Sequence, residues 1–104
     1  HQATITPAHV SAISGCKVLT ELTIGNGSLS STDIGELKKL KVLRYLKIYD
    51  NGIQIDANTV LTALPQLKSL TQLDLPESQF NADQAAELRK LMPKCHIALI
   101  KRYD

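Results

Sequence analysis

The feature that most constrains this chain is a hydrophobic phrase, Leu-x-x-Leu-x-(Leu/Ile), that occurs three times. The copies begin at residues 19, 43 and 70, so that successive copies lie 24 and 27 residues apart. A period in this range is the signature of repeat architectures, in which each unit stacks on the next and shares its core with it. The phrase therefore predicts a solenoid, a class of fold that commonly serves binding rather than catalysis.

Each repeat is predicted to consist of a strand and a short helical segment. The last residues of the phrase alternate with period two, as a strand requires. The residues before each phrase are apolar at every third position, which suits a short helix or a 3₁₀ turn. A fainter fourth copy places Ile97 and Leu99 at the positions of Leu73 and Leu75, so residues 95–100 are predicted to form the last strand. The apolar positions that define the helical segments are Val10, Ile13 and Cys16; Ile34, Leu37 and Leu40; Leu61, Leu64 and Leu67; and Ala85, Leu88 and Leu91.

Residues that favour a helix start precede each helical segment. Thr6, Ser30, Asp56 and Asn81 are of types preferred at the N-cap, and an apolar residue comes directly before each of them. That residue can pack against the fourth position of the helix as a hydrophobic staple. Asn81 and Gln84 also have the spacing of a capping box.

The repeated phrase followed by a polar turn resembles the leucine-rich repeats, in particular the bacterial and ribonuclease-inhibitor-like types. Asn51 occupies the asparagine position of that family, where Gly27 and Ser78 stand in the other copies. The resemblance implies an α/β right-handed solenoid, a short horseshoe segment with four parallel strands on one face and short helices on the other. It also implies a single domain over residues 1–104: a partial first repeat at 5–18, repeats at 19–42, 43–69 and 70–93, and a terminal strand at 95–100.

Length and charge narrow the possible functions. A chain of 104 residues is expected to form one domain. The net charge is +2, with both signs scattered along the sequence, which does not indicate nucleic-acid binding. No apolar run approaches the roughly 20 residues of a membrane span. The chain begins with His rather than Met and carries no visible secretory signal, so the sequence leaves the compartment and the full length open.

The two cysteines are predicted to be free thiols. Cys16 aligns with core leucines of the other repeats and is expected to be buried. Cys95 aligns with Thr71, three strands further on, or about 15 Å away at the usual strand spacing. A disulfide needs Cα atoms within about 7 Å. Free thiols suit the cytosol without excluding export.

No pattern of catalytic or metal-binding residues is present. The three histidines lie in different repeats, and no group of His, Cys, Asp and Glu has the spacing of metal ligands. Phosphate-binding glycine motifs and nucleophile motifs are also missing. Asp33 and Glu36 are best interpreted as acidic residues near a helix start that complement the helix dipole. The sequence thus predicts neither an enzyme nor a cofactor.

Three lysines recur at one repeat position: Lys17, Lys41 and Lys68. Such a ladder could bind an acidic partner. The favoured interpretation is that each lysine follows a helical segment, where a cation suits the negative helix end.

The outward face of the predicted sheet offers the candidate binding site. Apolar residues of the phrase point inward, and the positions between them point outward in rows. In leucine-rich repeat proteins this face commonly holds the partner, so the resemblance implies a protein-binding site. Its predicted members are Glu21, Thr23, Arg44, Tyr45, Lys47, Tyr49, Gln72, Asp74 and His96.

Tyr45 and Tyr49 are the most prominent members of this surface. Tyrosine is enriched at interface hot spots because it buries much area at little entropic cost. Alternatively, the two rings cover neighbouring side chains while Lys47 bridges to Asp74 on the adjacent strand. The third repeat also contains three additional residues, 53–55, which either pack locally in a longer loop or extend the patch that begins at Tyr49.

The leading hypothesis is a non-catalytic protein–protein interaction module that binds its partner through the strand face. Two alternatives stay open. The strand of the first repeat would lie before residue 1, which leaves strand 19–24 as an open sheet edge, and open edges pair with other chains. The chain could therefore be a structural or assembly domain that associates through this edge. It could also be the end piece of a larger receptor or enzyme.

Overall fold

A five-stranded parallel sheet with short helices organises the chain. A computed structural model describes residues 2–50 and 52–101. The predicted asparagine position, Asn51, lies outside the described residues. The strands are β1 (Gln2–Ile5), β2 (Glu21–Ile24), β3 (Gly27–Leu29), β4 (Tyr45–Ile48), β5 (Ile53–Ile55), β6 (Gln72–Pro76) and β7 (His96–Ile100), and the helices are α1 (Val10–Ile13), α2 (Ser31–Leu37), α3 (Ala57–Ala63) and α4 (Ala82–Leu91), with 3₁₀ turns at Pro7–His9 and Leu64–Gln66.

The main sheet has the strand order β1-β2-β4-β6-β7, so strands adjacent in the sheet are also successive in the chain among its members. Every pair is parallel, and each connection returns through a helical segment. The register joins equivalent repeat positions: Leu22 pairs with Leu46, Leu46 with Leu73, and Leu73 with Ile97. The predicted alignment of the repeats is therefore confirmed as spatial register.

The core lies between the sheet and the helices. The leucines of the repeated phrase are almost fully buried, and Leu46 and Leu73 have no exposed surface. The inner sides of α2 and α4 add Ile34 and Leu88 to the same hydrophobic cluster. Burying a leucine side chain contributes about 1.5–3 kcal/mol, so the aligned rows of leucine supply the main stabilisation of the sheet.

The helix starts follow the predicted caps. Asn81 caps α4, and Asn81 and Gln84 form the predicted capping box. Ser30 caps α2 through a second box that uses Asp33, a shorter acidic residue than the Glu or Gln of the usual pattern. Asp56 occupies the N-cap of α3 but makes no hydrogen bond there with its side chain.

The prediction for the first repeat is wrong. Its strand does not lie before residue 1: β1 is formed by Gln2–Ile5 and pairs with β2 along its whole length. The sheet thus has five parallel strands rather than four, and strand 19–24 is not an open edge, since it is paired on both sides. The strand is difficult to predict because Ile5 has two positions of the repeat at once: it is the last residue of the strand and it directly precedes the N-cap Thr6. In the next unit these two positions are held by different residues, Ile24 and Leu29.

The three additional residues form a strand rather than a loop. Ile53–Ile55 is β5, which pairs in parallel with β3 in a small second sheet. Ile53 is buried, so the expectation that these residues pack locally is confirmed. Gly27, the first residue of β3, has φ +134°, a conformation that favours glycine. It also lies so close to the ring of Pro7 that a Cβ would be 3.1 Å from Pro7 Cδ.

Within the described part of the chain, no helix is both long and apolar enough to cross a membrane.

Candidate protein-binding face

The outward side of the main sheet carries two registered rows of side chains. One row runs from Glu21 through Tyr45 and Gln72 to His96. Glu21 and His96 at its ends are exposed, and the two central residues are half-buried. Because these side chains alternate with the buried leucines, the sheet itself fixes their spacing and direction. The second row consists of Thr23, Lys47, Asp74 and Ala98.

Asp74 is the most unusual residue of this face. It points away from the core yet is only 6% exposed. The Tyr45 hydroxyl donates a hydrogen bond to Asp74 Oδ2 at 2.5 Å. Gln72 Nε2 donates to Asp74 Oδ1 at 3.0 Å. Two donors on adjacent strands thus hold the carboxylate, as a buried charge requires.

The same contact changes the acidity of Tyr45. The hydrogen bond to the Asp74 carboxylate raises the pKa of Tyr45 to about 12, with smaller contributions from burial and from the charges of Asp74 and Glu21. Each of these favours the neutral phenol over the phenolate. Tyr45 is therefore a fixed hydrogen-bond donor at neutral pH, engaged within the chain.

Lys47 does not bridge to Asp74 as one interpretation of the sequence expected. Its ammonium lies over the ring of Tyr49, 5.2 Å from the ring centroid. This is a cation–π distance, worth about 0.5–1 kcal/mol at an exposed site. Tyr49 is also anchored through its backbone, since its N–H donates to the Ile24 carbonyl at 2.8 Å. The pair forms a half-buried aromatic and cationic spot on the face.

The other predicted site residues differ in position. Thr23 lies beside Lys47 in register. Arg44 lies just before β4, at the start of the strand rather than on the face, and its carbonyl accepts from Thr71 N–H at 2.8 Å and Gln72 N–H at 3.0 Å. Its side chain is exposed. The fold thus gathers Tyr45, Lys47 and Asp74 at the centre and leaves Arg44 at the rim.

Sequence reasoning missed the bond between Tyr45 and Asp74 although a signal was present. Tyr45 lies directly opposite Gln72, so Asp74 is its diagonal neighbour, two residues further along β6. Diagonal neighbours on one face are about 7–8 Å apart, within reach of a tyrosine hydroxyl. The register alone could have predicted this contact.

Both cysteines are free thiols. Cys95 is buried at 8% exposure, whereas Cys16 is half-buried rather than buried as expected. Burial, and then the negative charge of Asp74, raise the pKa of the Cys95 thiol. Cys95 is therefore a poor nucleophile at neutral pH. Among residues 2–50 and 52–101, no group of three or more His, Cys, Asp and Glu is placed to hold a metal ion.

Comparison of the chain with protein-family models, with curated proteins and with solved structures gives no match.

Proposed function

We propose that the chain is a short leucine-rich-repeat-type solenoid that works as a non-catalytic protein-interaction module, and that it binds its partner through the outward face of the main sheet. The observation that carries the proposal is the register of this sheet. Equivalent repeat positions are lateral neighbours, so each outward row brings together side chains that are far apart in sequence. Solenoids use such continuous surfaces for recognition.

The geometry of the face supports recognition of a folded surface or an extended segment. Tyr45, Gln72 and Asp74 hold one another in place, so binding would cost little further side-chain entropy there. Lys47 and Tyr49 form a partly exposed contact spot beside this rigid centre. A preordered centre with adaptable groups around it is a favourable arrangement for affinity.

The roles of the two tyrosines differ in this proposal. Tyr45 acts mainly by holding Asp74, because its hydroxyl is already used. Tyr49 is a candidate for direct contact, together with the Lys47 ammonium that lies over its ring. Glu21 and His96, both exposed, would contact the partner at the two ends of the row.

A photocrosslinking experiment tests this proposal. A photoreactive phenylalanine derivative is placed at Thr23 on the face or at Glu87 on the exposed side of α4, and each protein is irradiated with extract of its source cells. We expect a discrete adduct from position 23 alone. Replacing Lys47 and Tyr49 by Ala should abolish it, whereas Lys90→Ala on α4 should not. Equal labelling from both positions, or an adduct indifferent to the double replacement, contradicts the proposal.

A further inference from the structure

A second surface, on a different side of the molecule, is marked by its charge. The four segments that lead from a helical segment into the next strand, residues 14–20, 38–44, 67–71 and 92–95, meet at one edge of the parallel sheet, because all its strands begin there. We call this surface the basic edge. It contains no Asp or Glu, and it carries seven of the 12 Lys and Arg of the chain, all of them exposed: Lys17, Lys38, Lys39, Lys41, Arg44, Lys68 and Lys94.

The opposite edge has the reverse character. The segments that lead from a strand of the main sheet into a helix carry Asp50, Asp56 and Glu77, and their described residues include no Lys or Arg. Lys101, directly after β7, is a cation at this end within the described part of the chain. The modest net charge of +2 therefore conceals a charge separation between the two edges of the sheet. A field of this kind concentrates ligands of the opposite sign.

The helix dipole does not account for the whole set of cations. Its influence falls off within the last turn of a helix. The last turns of α2 and α3 contain no basic residue. Lys41 lies beyond the end of α2, Lys68 beyond the 3₁₀ turn that follows α3, and Lys94 beyond the end of α4. Of the seven, Lys39 alone is paired in a described salt bridge, with Glu36. Most of these charges thus have no evident structural task.

Two neighbouring clefts open on the basic edge. The first, of about 370 Å³, has Leu37, Leu40, Leu43 and Leu67 in its wall. Lys38, Lys41 and Lys68 line it as well, so apolar and cationic side chains share the lining of this cleft. The second, of about 170 Å³, is adjacent because it shares Leu67 and Lys68 with the first. Its lining further includes Pro65, Leu70, Leu91, Met92, Pro93, Lys94 and Cys95.

Exposed apolar side chains lie on or next to the basic edge. In the described part of the chain, the large hydrophobic residues with marked exposure are Val18 (57%), Val42 (40%) and Leu91 (58%). Val18 and Val42 lie on the basic edge, each directly after a lysine, and Leu91 lines the second cleft. Scattered apolar residues need no explanation, but their concentration on one surface indicates an interaction site.

We propose that the basic edge binds an acidic peptide segment of a protein partner, one that carries bulky apolar side chains between its carboxylates. The carboxylates pair with Lys41, Lys68 and Lys94, and the apolar side chains enter the two clefts. The complementarity of charge selects the sign of the ligand, and the clefts select a peptide over a polyanion without apolar groups. This site is separate from the strand face, so each can exist without the other.

The chemistry of the edge favours a peptide over the other polyanions. Recognition of single-stranded nucleic acid relies on aromatic side chains that stack with bases, and the segments of the basic edge contain no Phe, Tyr or Trp. A membrane surface attracts exposed lysines but makes no use of recessed apolar clefts. Peptide ligands, in contrast, commonly place apolar anchors in grooves while charged groups set orientation and specificity.

Fluorescence polarisation with a designed peptide tests the proposal. The probe alternates Asp or Glu with Leu or Phe; one control peptide replaces the acids by Asn and Gln, and another replaces the apolar residues by Ser. We expect saturable binding of the first peptide alone. The double variant Lys41→Glu, Lys68→Glu should weaken it by about tenfold or more, because like charges then face each other. Leu91→Ser should weaken it without altering the charge.

The matched control is the double variant Lys90→Glu, Lys101→Glu. It changes the net charge by the same amount, at exposed positions outside the two clefts. Because salt screens the charges of distant groups, it should leave the affinity for the peptide within about twofold. Equal losses in the two double variants would mean attraction by net charge alone and would overturn the proposal. Circular dichroism of each variant shows that the fold is retained.

Cys95 provides an independent measurement at the second cleft. In a Cys16→Ser background and at mildly alkaline pH, where the Cys95 thiol reacts more readily, the peptide should slow alkylation of Cys95, which lines that cleft. Unchanged alkylation under saturating peptide contradicts the placement of the peptide in this cleft.

A last experiment uses vesicles of phosphatidylserine and phosphatidylcholine. If the protein binds no peptide but binds these vesicles, and the Lys41→Glu, Lys68→Glu variant loses vesicle binding, the ligand of the basic edge is a membrane surface and the peptide proposal is overturned.

Discussion

The two edges of the main sheet differ in how their charged residues are placed. At the strand-to-helix edge, side chains bond to one another: the Ser78 hydroxyl donates to Asp50 at 2.6 Å, Gln79 donates to the Ile53 carbonyl at 3.1 Å, and two capping boxes close the starts of α2 and α4. At the basic edge, exposed cations gather without carboxylates among them. Residues with internal partners serve the fold, and a concentration of unused charge is available to a ligand.

The largest expected difference between the edges is the loss of stability when one apolar residue at each edge is replaced by Ala. Phe80, at the strand-to-helix edge, is 2% exposed, whereas Val18, at the basic edge, is 57% exposed. Phe80→Ala should lower the free energy of unfolding by about 3–5 kcal/mol because it leaves a cavity. Val18→Ala should change it by less than about 0.5 kcal/mol. Urea denaturation measures both, and similar losses would erase the comparison.

A smaller effect is expected at the centre of the sheet, between the two edges. Tyr45→Phe removes the hydroxyl that donates to the buried Asp74 carboxylate. We expect a loss of about 1–2 kcal/mol, at the lower end of the values for bonds to charged groups because Tyr45 is half-exposed and solvent screens the pair. Gln72→Leu, which removes the second donor, is the companion variant. A Tyr45→Phe protein as stable as the parent would show that the carboxylate does not need this donor.

The stability difference between the parent protein and Tyr45→Phe is expected to depend on pH. The pKa of Tyr45 rises from 10.0 to about 12 on folding, so the folded state holds the proton more tightly than the unfolded state. The stabilisation by the hydroxyl is therefore complete below pH 10 and is lost as the pH rises through about 12. The stability difference between the parent and Tyr45→Phe should narrow over that interval. A difference that stays constant would contradict the raised pKa.

Caps at the strand-to-helix edge allow a matched comparison with an effect of about 1 kcal/mol. Asn81 accepts from the Gln84 N–H at 2.8 Å, whereas Asp56 holds the same position of α3 without a side-chain bond. Asn81→Ala should cost about 1 kcal/mol. Asp56→Ala should cost clearly less, since no cap bond is lost. Thermal unfolding of the two variants decides; equal losses would mean that residue type alone, and not the observed bond, sets the cost.

Much of this architecture follows from the sequence for a physical reason. The repeated leucines fix both the strand period and the inward face, and stacking then leaves one register in which all of them are buried. The members of the two outward rows, from Glu21 to His96 and from Thr23 to Asp74, are thus predicted correctly by the alignment of the repeats. The position of Arg44 at the rim follows from the same register.

The errors also have physical causes. β1 was missed because a strand with Ala3 and Ile5 as its inward residues, at an edge where it pairs on one side, carries too little hydrophobic pattern. β5 was expected to be a loop because strand formation at Ile53 depends on β3, whose paired residue Gly27 lies 26 residues earlier in the chain. The burial of Asp74 depends on the Tyr45 hydroxyl reaching across from the neighbouring strand and on Gln72 two residues before it on β6, which composition does not reveal. Charge separation between the edges was hidden by the balanced total.

The smallest expected effect on stability concerns Lys41, in the middle of the basic edge. If this edge is kept for a ligand, its repelling lysines oppose folding slightly, and natural sequences tolerate such costs at functional surfaces. Lys41→Gln should therefore leave the free energy of unfolding unchanged or raise it by up to about 0.5 kcal/mol at low salt. Because added salt screens exposed charges, the gain should disappear at high ionic strength. Urea denaturation at two salt concentrations measures this gain in stability. Lys90→Gln is the control: Lys90 pairs with Glu87 at 3.4 Å, so removing its charge should be neutral or slightly destabilising. A clear loss of stability in Lys41→Gln would assign this lysine to the fold and remove it from the proposed peptide site.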